Sequence, residues 1–376
     1  MAISYKISTM AKRQTKKPKK ANNQKKLTQK PLLSLGLVII AMALYLGVVW
    51  FYITQSYQSQ PLQSGHLASA QAFSDPDYSK SLDLRIAAKA SYPSAAIQEV
   101  KDLGIDGGVD TQTVSFVVTT DHLNEYGLMT TPTGAVPSGG WPVIILCHGY
   151  YNPDQYTTET GYMADMDFYS QHGFAVIKPD YRGQGLSKDQ GSPDGAYYSM
   201  AYNTDVMSLI SAVDQTSYLN KHDVNLWGHS MGAYIALRAA VLSPSIKNVI
   251  LLSGPVGTPQ DMYSDYMAIS DQDNPVALRL RDSALLKYGT PLNNPKFWDT
   301  TAPIDYLDHL SANVQINVGS ADQTVPPKFS AELDNALNKL NKSHQYYVYA
   351  GDGHSLSDEL PTIWQRSLAL LAPGTQ

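Results

Sequence analysis

One cysteine, Cys147, stands in 376 residues, which excludes any intramolecular disulfide. Phenylalanine is scarce, 7 against 25 tyrosines, so most aromatic side chains carry a polar end that suits wet surfaces. No group of His, Asp or Glu has metal-ligand spacing and Cys147 is alone, so neither a metal nor a cofactor is expected. Acidic residues are missing from residues 1–31, which hold ten Lys or Arg (Lys6, Lys12, Arg13, Lys16, Lys17, Lys19, Lys20, Lys25, Lys26, Lys30). The rest of the chain has 18 basic and 33 acidic side chains, so a net charge of −5 conceals a strong asymmetry. Charge of either sign is missing from the 22 residues Leu32–Ile53.

The last two absences act together. As a helix, residues 32–53 cover the roughly 30 Å of a bilayer's hydrocarbon core. Trp50, Phe51 and Tyr52 suit its far interface. Positive charge ahead of the span predicts a cytoplasmic N-terminal tail (1–31), a signal anchor (32–53), and residues 54–376 outside the cytoplasm. A cleaved signal peptide is the rival reading. Its apolar region is usually only about 7–15 residues, although Ala68-Ser69-Ala70 could mimic a cleavage site. Once an anchor explains the basic head, no nucleic-acid partner is needed. An extracytoplasmic domain without disulfides fits a bacterial envelope better than a eukaryotic secretory route.

Residues 54–109 read as a linker or stalk followed by a short helical piece. The first part is rich in Gln, Ser, Pro and Asp. In the second, Leu82, Ile86, Ala90, Ile97 and Val100 have helical spacing with a break near Pro93. The pattern then changes to strands: TVSFVVTT from Thr113, LNEYGLMTTP from Leu123, and the fully apolar Trp141–Cys147. Beyond these, helical segments near 162–172 and 200–218 alternate with strands at Phe174–Ile177, Asn248–Ser253, Val314–Val318 and Gln345–Tyr349. Apolar strands alternating with helices predict an α/β fold over 110–376, a mostly parallel central sheet flanked by helices.

Val224–Ala233 organises that domain. An apolar strand runs into Gly228-His229-Ser230-Met231-Gly232, and a helix-forming segment follows at once. Strand, tight turn and helix are the context in which Gly-x-Ser-x-Gly means a nucleophile elbow. Ser230 has to sit on a strained turn, and glycines at 228 and 232 leave room for the neighbouring strand and helix. The helix N-terminus behind Ser230 favours an anion forming there.

Three more pieces fall where such a nucleophile needs them. Cys147-His148-Gly149-Tyr150 ends an apolar strand, so the Tyr150 N–H, with that of Met231, could form an oxyanion hole. Gly319-Ser320-Ala321-Asp322 and Gly351-Asp352-Gly353-His354 each follow a strand. Ser230, Asp322 and His354 then stand in the order Ser…Asp…His, with His354 as general base and Asp322 as its orienter. Asp352 is the alternative acid, but as a near neighbour of His354 in sequence it is poorly placed to orient it. The other histidines read as surface or loop residues, with His148 ordering the oxyanion loop and His229 packing or lining a pocket.

Taken together, Gly-His-Ser-Met-Gly, His148-Gly149 after its strand, and Asp180-Tyr181-Arg182-Gly183-Gln184-Gly185-Leu186-Ser187 resemble the α/β-hydrolase superfamily. That loop, Ala302-Pro303-Ile304-Asp305-Tyr306, Gly319-x-x-Asp322-x-x-Val325-Pro326 and Gly353-His354 resemble the prolyl-oligopeptidase-like catalytic domain and its esterase relatives. The resemblance covers roughly residues 110–372 and implies an α/β-hydrolase fold. It also implies that the Asp-Tyr-Arg-Gly loop braces the site, so Arg182 is assigned no chemistry. True prolyl oligopeptidases carry a β-propeller that residues 54–110 cannot encode, which favours a general esterase over a peptidase.

Residues 255–300 form an insertion holding Tyr263, Tyr266, Tyr288, Phe297 and Trp298. It is expected to be helical and either to act as a lid or to pack as two extra helices on the sheet. As a lid it would line a substrate pocket with Tyr263, Tyr266 and Trp298, joined by His148 and His229. The whole reads as a membrane-anchored serine hydrolase acting on an ester or a short peptide through an acyl-enzyme. An acyltransferase with the same triad and a catalytically inactive binding domain are the rival classes.

Overall fold

Alternate residues of Trp141–Cys147 go to opposite sides of one sheet, and both sides are buried. Val143, Ile145 and Cys147 join one apolar core, while Ile144 and Leu146 join another. A strand buried on both faces has no polar side to alternate with, hence the unbroken run Val-Ile-Ile-Leu. In this computed structural model, residues 80–159, 161–191, 196–267 and 275–372 are described. The basic tail, the apolar span at 32–53 and nearly all of the linker lie outside them. Among the described residues no helix is long and apolar enough to cross a membrane.

The strands are β1 (Gln98–Asp106), β2 (Val109–Val118), β3 (Leu123–Pro132), β4 (Trp141–Cys147), β5 (Ala175–Pro179), β6 (Leu219–His229), β7 (Ile246–Leu252), β8 (Asn313–Gly319) and β9 (His344–Tyr349). They form one nine-stranded sheet in the order β1-β2-β3-β5-β4-β6-β7-β8-β9. From β5 to β9 every neighbouring pair is parallel, while β1, β2 and β3 join antiparallel. Helices Ala201–Gln215, Met231–Leu242 and Lys328–Lys339 cover one face. Met163–Gln171 and Leu360–Leu371 cover the other.

Two expectations need correction at the start of the domain. The spacing at 81–103 predicts helix, yet only Leu84–Ala87 is helical and Ile97 leads into β1. Leu84, Ala87 and Ile97 are buried in the main core and Ala90 packs against it without forming a continuous helix. Val100, in contrast, lies exposed on β1, an edge strand exposed at nearly every position. Gly107 and Gly108, both at positive φ, turn it back onto β2. The sheet therefore begins at Gln98, ahead of the expected boundary at 110.

The insertion between β7 and β8 contains helices Pro259–Met262, Pro275–Tyr288 and Pro295–Trp298. Its far end is tied to the helix behind Ser230, because the buried Arg238 donates to the carbonyls of Thr301 (3.0 Å) and Ala196 (2.9 Å).

Candidate active site

Parallel order brings the carboxyl ends of β4, β6, β8 and β9 to one edge of the sheet. Cys147 stands opposite Gly228 in the β4–β6 register, so the segment leaving β4 and the turn leaving β6 emerge side by side. Ser230 occupies that turn at φ 53° and ψ −124°, a left-handed-side conformation that a β-carbon disfavours. Its N–H is anchored on the Leu252 carbonyl of β7 at 2.9 Å. Close packing holds the strain: a Cβ on Gly232 would overlap the Cys147 carbonyl oxygen, and one on Gly228 would overlap that of Gly232. Both elbow glycines are required by contact.

Asp322 and His354 arrive on two loops stitched together by their main chains. Ser320 N–H donates to the Tyr349 carbonyl and Ala321 N–H to that of Asp352, each at 2.9 Å. His354 Nδ1 then lies 2.8 Å from Asp322 Oδ2, and His354 Nε2 lies 2.9 Å from Ser230 Oγ. Asp322 Oδ1 accepts the N–H groups of Thr324 (2.8 Å) and Val325 (2.9 Å). Burial by itself would raise the Asp322 carboxyl. The His354 hydrogen bond and the main-chain donors outweigh it, leaving the group below the usual carboxylate range. Asp352, the alternative acid, instead accepts from the Gly353 N–H at 2.8 Å.

Met231 opens the helix behind Ser230, so its amide is one of the first-turn N–H groups that no carbonyl of that helix can accept. Tyr150 follows Gly149 just beyond β4, and its side chain is exposed. The five expected pocket residues divide. His148 is fully buried, its ring stacked on Tyr156 at 4.8 Å and tilted against Tyr181 at 4.4 Å. Burial lowers its imidazole to about 3, so it is a neutral packing group beneath the loop. Trp298 is equally interior, with Nε1 on the Gly289 carbonyl and its ring edge-on to Tyr198 and Phe297. Tyr266 is buried among Tyr197 and Phe329, and Tyr263 packs half-buried on the same core. His229 contacts the backbone of His354, with Nε2 3.0 Å from the His354 carbonyl.

Two participants escaped sequence reasoning. Tyr162 has its hydroxyl 3.0 Å from the Gly149 N–H and 2.8 Å from His229 Nδ1. Lys178, buried on β5, reaches the Gly161 carbonyl at 3.1 Å across the Tyr156 ring, and burial lowers its ammonium to about 8. A lysine inside a strand that reads Ala-Val-Ile-Lys-Pro was the one available signal. The loop Asp180–Ser187 is a brace, as the resemblance implied. Asp180 accepts from Tyr156, Thr158 and the Leu186 N–H, and Arg182 bridges Asp205 and Asp121. Among the described residues no group of three or more His, Cys, Asp or Glu could hold a metal ion.

The family model for the alpha/beta hydrolase fold matches residues 142–280, which include Ser230 and the loop after β4. The chain has the α/β-hydrolase fold. An acetyl xylan esterase from Paenibacillus sp. R4 superposes with a TM-score of 0.56 at 19% identity, over 79% of this chain and 94% of that one. The acylaminoacyl peptidase of Pyrococcus horikoshii gives 0.53 at 14% identity, over 76% of this chain and 42% of that one. By sequence, an uncharacterized peptidase of Bacillus subtilis is 24% identical over 186 residues, 50% of this chain and 66% of that protein. The chain spans about half the length of the curated relatives it matches. This hydrolase fold thus has esterases and peptidases among its relatives, and Asp322 and His354 lie beyond the segment the family model covers.

Proposed function

We propose that this protein is a serine hydrolase that cleaves a carboxylic ester, or second a short peptide, through an acyl-enzyme on Ser230. The observation that carries the reading is the unbroken hydrogen-bonded series Asp322–His354–Ser230, at 2.8 and 2.9 Å, ending on a strained serine at a helix N-terminus. His354 Nε2 takes the Ser230 proton as Oγ attacks the carbonyl carbon, and returns it to the leaving group. Asp322, buried and ionised, holds the Nδ1–H tautomer and stabilises the imidazolium that forms. The Tyr150 and Met231 amides donate to the oxyanion, and water then repeats the cycle to release the acid. These steps are common to ester and amide cleavage. The esterase and peptidase relatives support both, and the Bacillus subtilis relative gives the peptide reading its specific support.

The reading extends to an anchored enzyme. The charge-free segment 32–53 behind ten Lys or Arg supports a single span with the catalytic domain outside the cytoplasm. Protease accessibility of the domain in intact cells against spheroplasts tests that orientation. For the chemistry, the test is fluorophosphonate labelling of the detergent-solubilised full chain beside Ser230→Ala, with p-nitrophenyl esters of rising chain length and prolyl or alanyl amides as substrates. Labelling and turnover lost together in Ser230→Ala support the nucleophile. A well-folded wild type that neither labels nor turns over overturns the enzyme reading.

A further inference from the structure

His229 stands beside Ser230 in the elbow, yet both of its ring nitrogens are engaged elsewhere. Nε2 lies 3.0 Å from the His354 carbonyl oxygen, and Nδ1 lies 2.8 Å from the Tyr162 hydroxyl. The acceptors fix the protons. A carbonyl can only accept, so Nε2 carries the hydrogen. In the neutral ring Nδ1 is then bare and accepts from the Tyr162 O–H. The Tyr162 oxygen in turn accepts the Gly149 N–H at 3.0 Å. One arrangement of protons satisfies all three bonds.

The electrostatics agree with that arrangement. Burial lowers the His229 imidazole to about 4, and burial pushes the Tyr162 phenol up, so both stay neutral through the physiological range. The packing is built around the same contact. Tyr162 adopts φ 61°, a left-handed conformation unfavourable for a tyrosine, where it delivers its hydroxyl to this point. A Cβ on Gly149 would stand 3.0 Å from that hydroxyl and 3.3 Å from His229 Nδ1, so no side chain fits there without pushing the bonds apart.

The ends of this chain of bonds are significant. One is the amide adjoining Tyr150 and the other is the carbonyl of the base residue itself. We infer that His229 and Tyr162 are positioning residues, a neutral strut that sets the distance between the oxyanion-donating loop after β4 and the loop carrying His354. The inference rests on the serine-hydrolase reading above. The strut touches no reacting atom. It works by holding the Tyr150 amide and His354 in register as the tetrahedral intermediate forms, when both must act on one carbonyl group.

Kinetics per reactive serine test it, with sites counted by fluorophosphonate titration. The variants are His229→Leu, His229→Gln, Tyr162→Phe and the double variant His229→Leu/Tyr162→Phe. Leucine removes both bonds, whereas a glutamine carboxamide can donate to the His354 carbonyl and accept from Tyr162. For His229→Leu and Tyr162→Phe, kcat per titrated site is expected to fall about tenfold, with KM within about twofold. His229→Gln is expected within about threefold of wild type, and the double variant no lower than the worse single. A purely structural role would lower the number of titratable sites but not the turnover of each. Unchanged kcat per site in Tyr162→Phe, the smallest alteration and the one kept if the leucine variant does not fold, overturns the strut. Losses that multiply in the double variant overturn it too. Turnover that survives Ser230→Ala instead overturns the underlying function, and the two failures are read from different variants.

Discussion

Asp322 and His354 meet across 2.8 Å from loops 32 residues apart, and the carboxylate's second oxygen is occupied by the Thr324 and Val325 amides. That division fixes which oxygen faces the imidazole. The carboxylate is thus an oriented group: one oxygen is tied to its own turn, and the other is left for His354 Nδ1.

Asp322→Asn exploits this orientation. The asparagine oxygen would replace Oδ1 beneath the two amides, leaving its NH2 to face His354 Nδ1. The imidazole would then carry its proton on Nε2, pointing at Ser230 Oγ, and could not act as base. Ester turnover is expected to fall roughly 10³–10⁴-fold with the fold retained. Steady-state kinetics with a thermal melt check it, and a loss under tenfold would remove Asp322 from the proposed triad.

Gly232→Ala separates space from chemistry. The added methyl would overlap the Cys147 carbonyl oxygen and lie 2.6 Å from that of His148, both backbone atoms at the end of a central strand. Neither can move without disturbing the β4–β6 ladder. Destabilisation above about 3 kcal/mol is expected, the upper end of overpacking costs. Denaturant unfolding of the variant measures it, and a melt within a few degrees of wild type contradicts the packing account.

Legibility in the sequence followed burial and locality. β4 was bounded correctly because a continuous apolar run is framed by turn residues, and β3 because a strand-forming stretch ends at Pro132 before a turn. The elbow announced itself within ten consecutive residues. β1 was missed because an exposed edge strand need not alternate, and the helical spacing was carried by residues ahead of it, with only Val100 inside the strand. Asp322 and His354 were readable as residues at strand ends, since parallel topology alone sends those ends to one edge. Tyr162 was not, because its meeting with His229, 67 residues away, depends on a left-handed turn at a tyrosine that no pattern marks. His148 and Trp298 were assigned to a pocket on residue type, whereas their burial was decided by packing across several elements.

Arg238 carries a charge into the core, and its bonds end on neutral oxygens: the carbonyls of Ala196, Ser199 and Thr301, and the Tyr234 hydroxyl at 2.6 Å. It thereby fastens the helix behind Ser230 to both flanking loops. Arg238→Met keeps the apolar stem but strands those acceptors. A loss of about 2–4 kcal/mol in urea unfolding is expected. Fluorophosphonate labelling should survive at low temperature, since no contact with Ser230 is removed. Stability equal to wild type would show that the carbonyls find other donors.

Glu125 lies fully buried on β3, and burial, reinforced by the charge of Asp205, raises its carboxyl to about 9 from 4.5. Between those values the folded chain holds a proton that the unfolded chain has released. The stability that Glu125 contributes is therefore complete below about 4.5 and is lost as pH rises towards 9. Glutamine copies the protonated form and does not titrate. The stability of Glu125→Gln relative to wild type is thus expected to climb from pH 5 to pH 8, with a slope of at most about 1.4 kcal/mol per pH unit, and its melting temperature relative to wild type to rise with it. Parallel melts across that range decide it. A difference that stays flat would mean Glu125 is ionised in the fold and paired with Arg182. A difference that falls would reverse the sign, and with it the claim that burial dominates at this site.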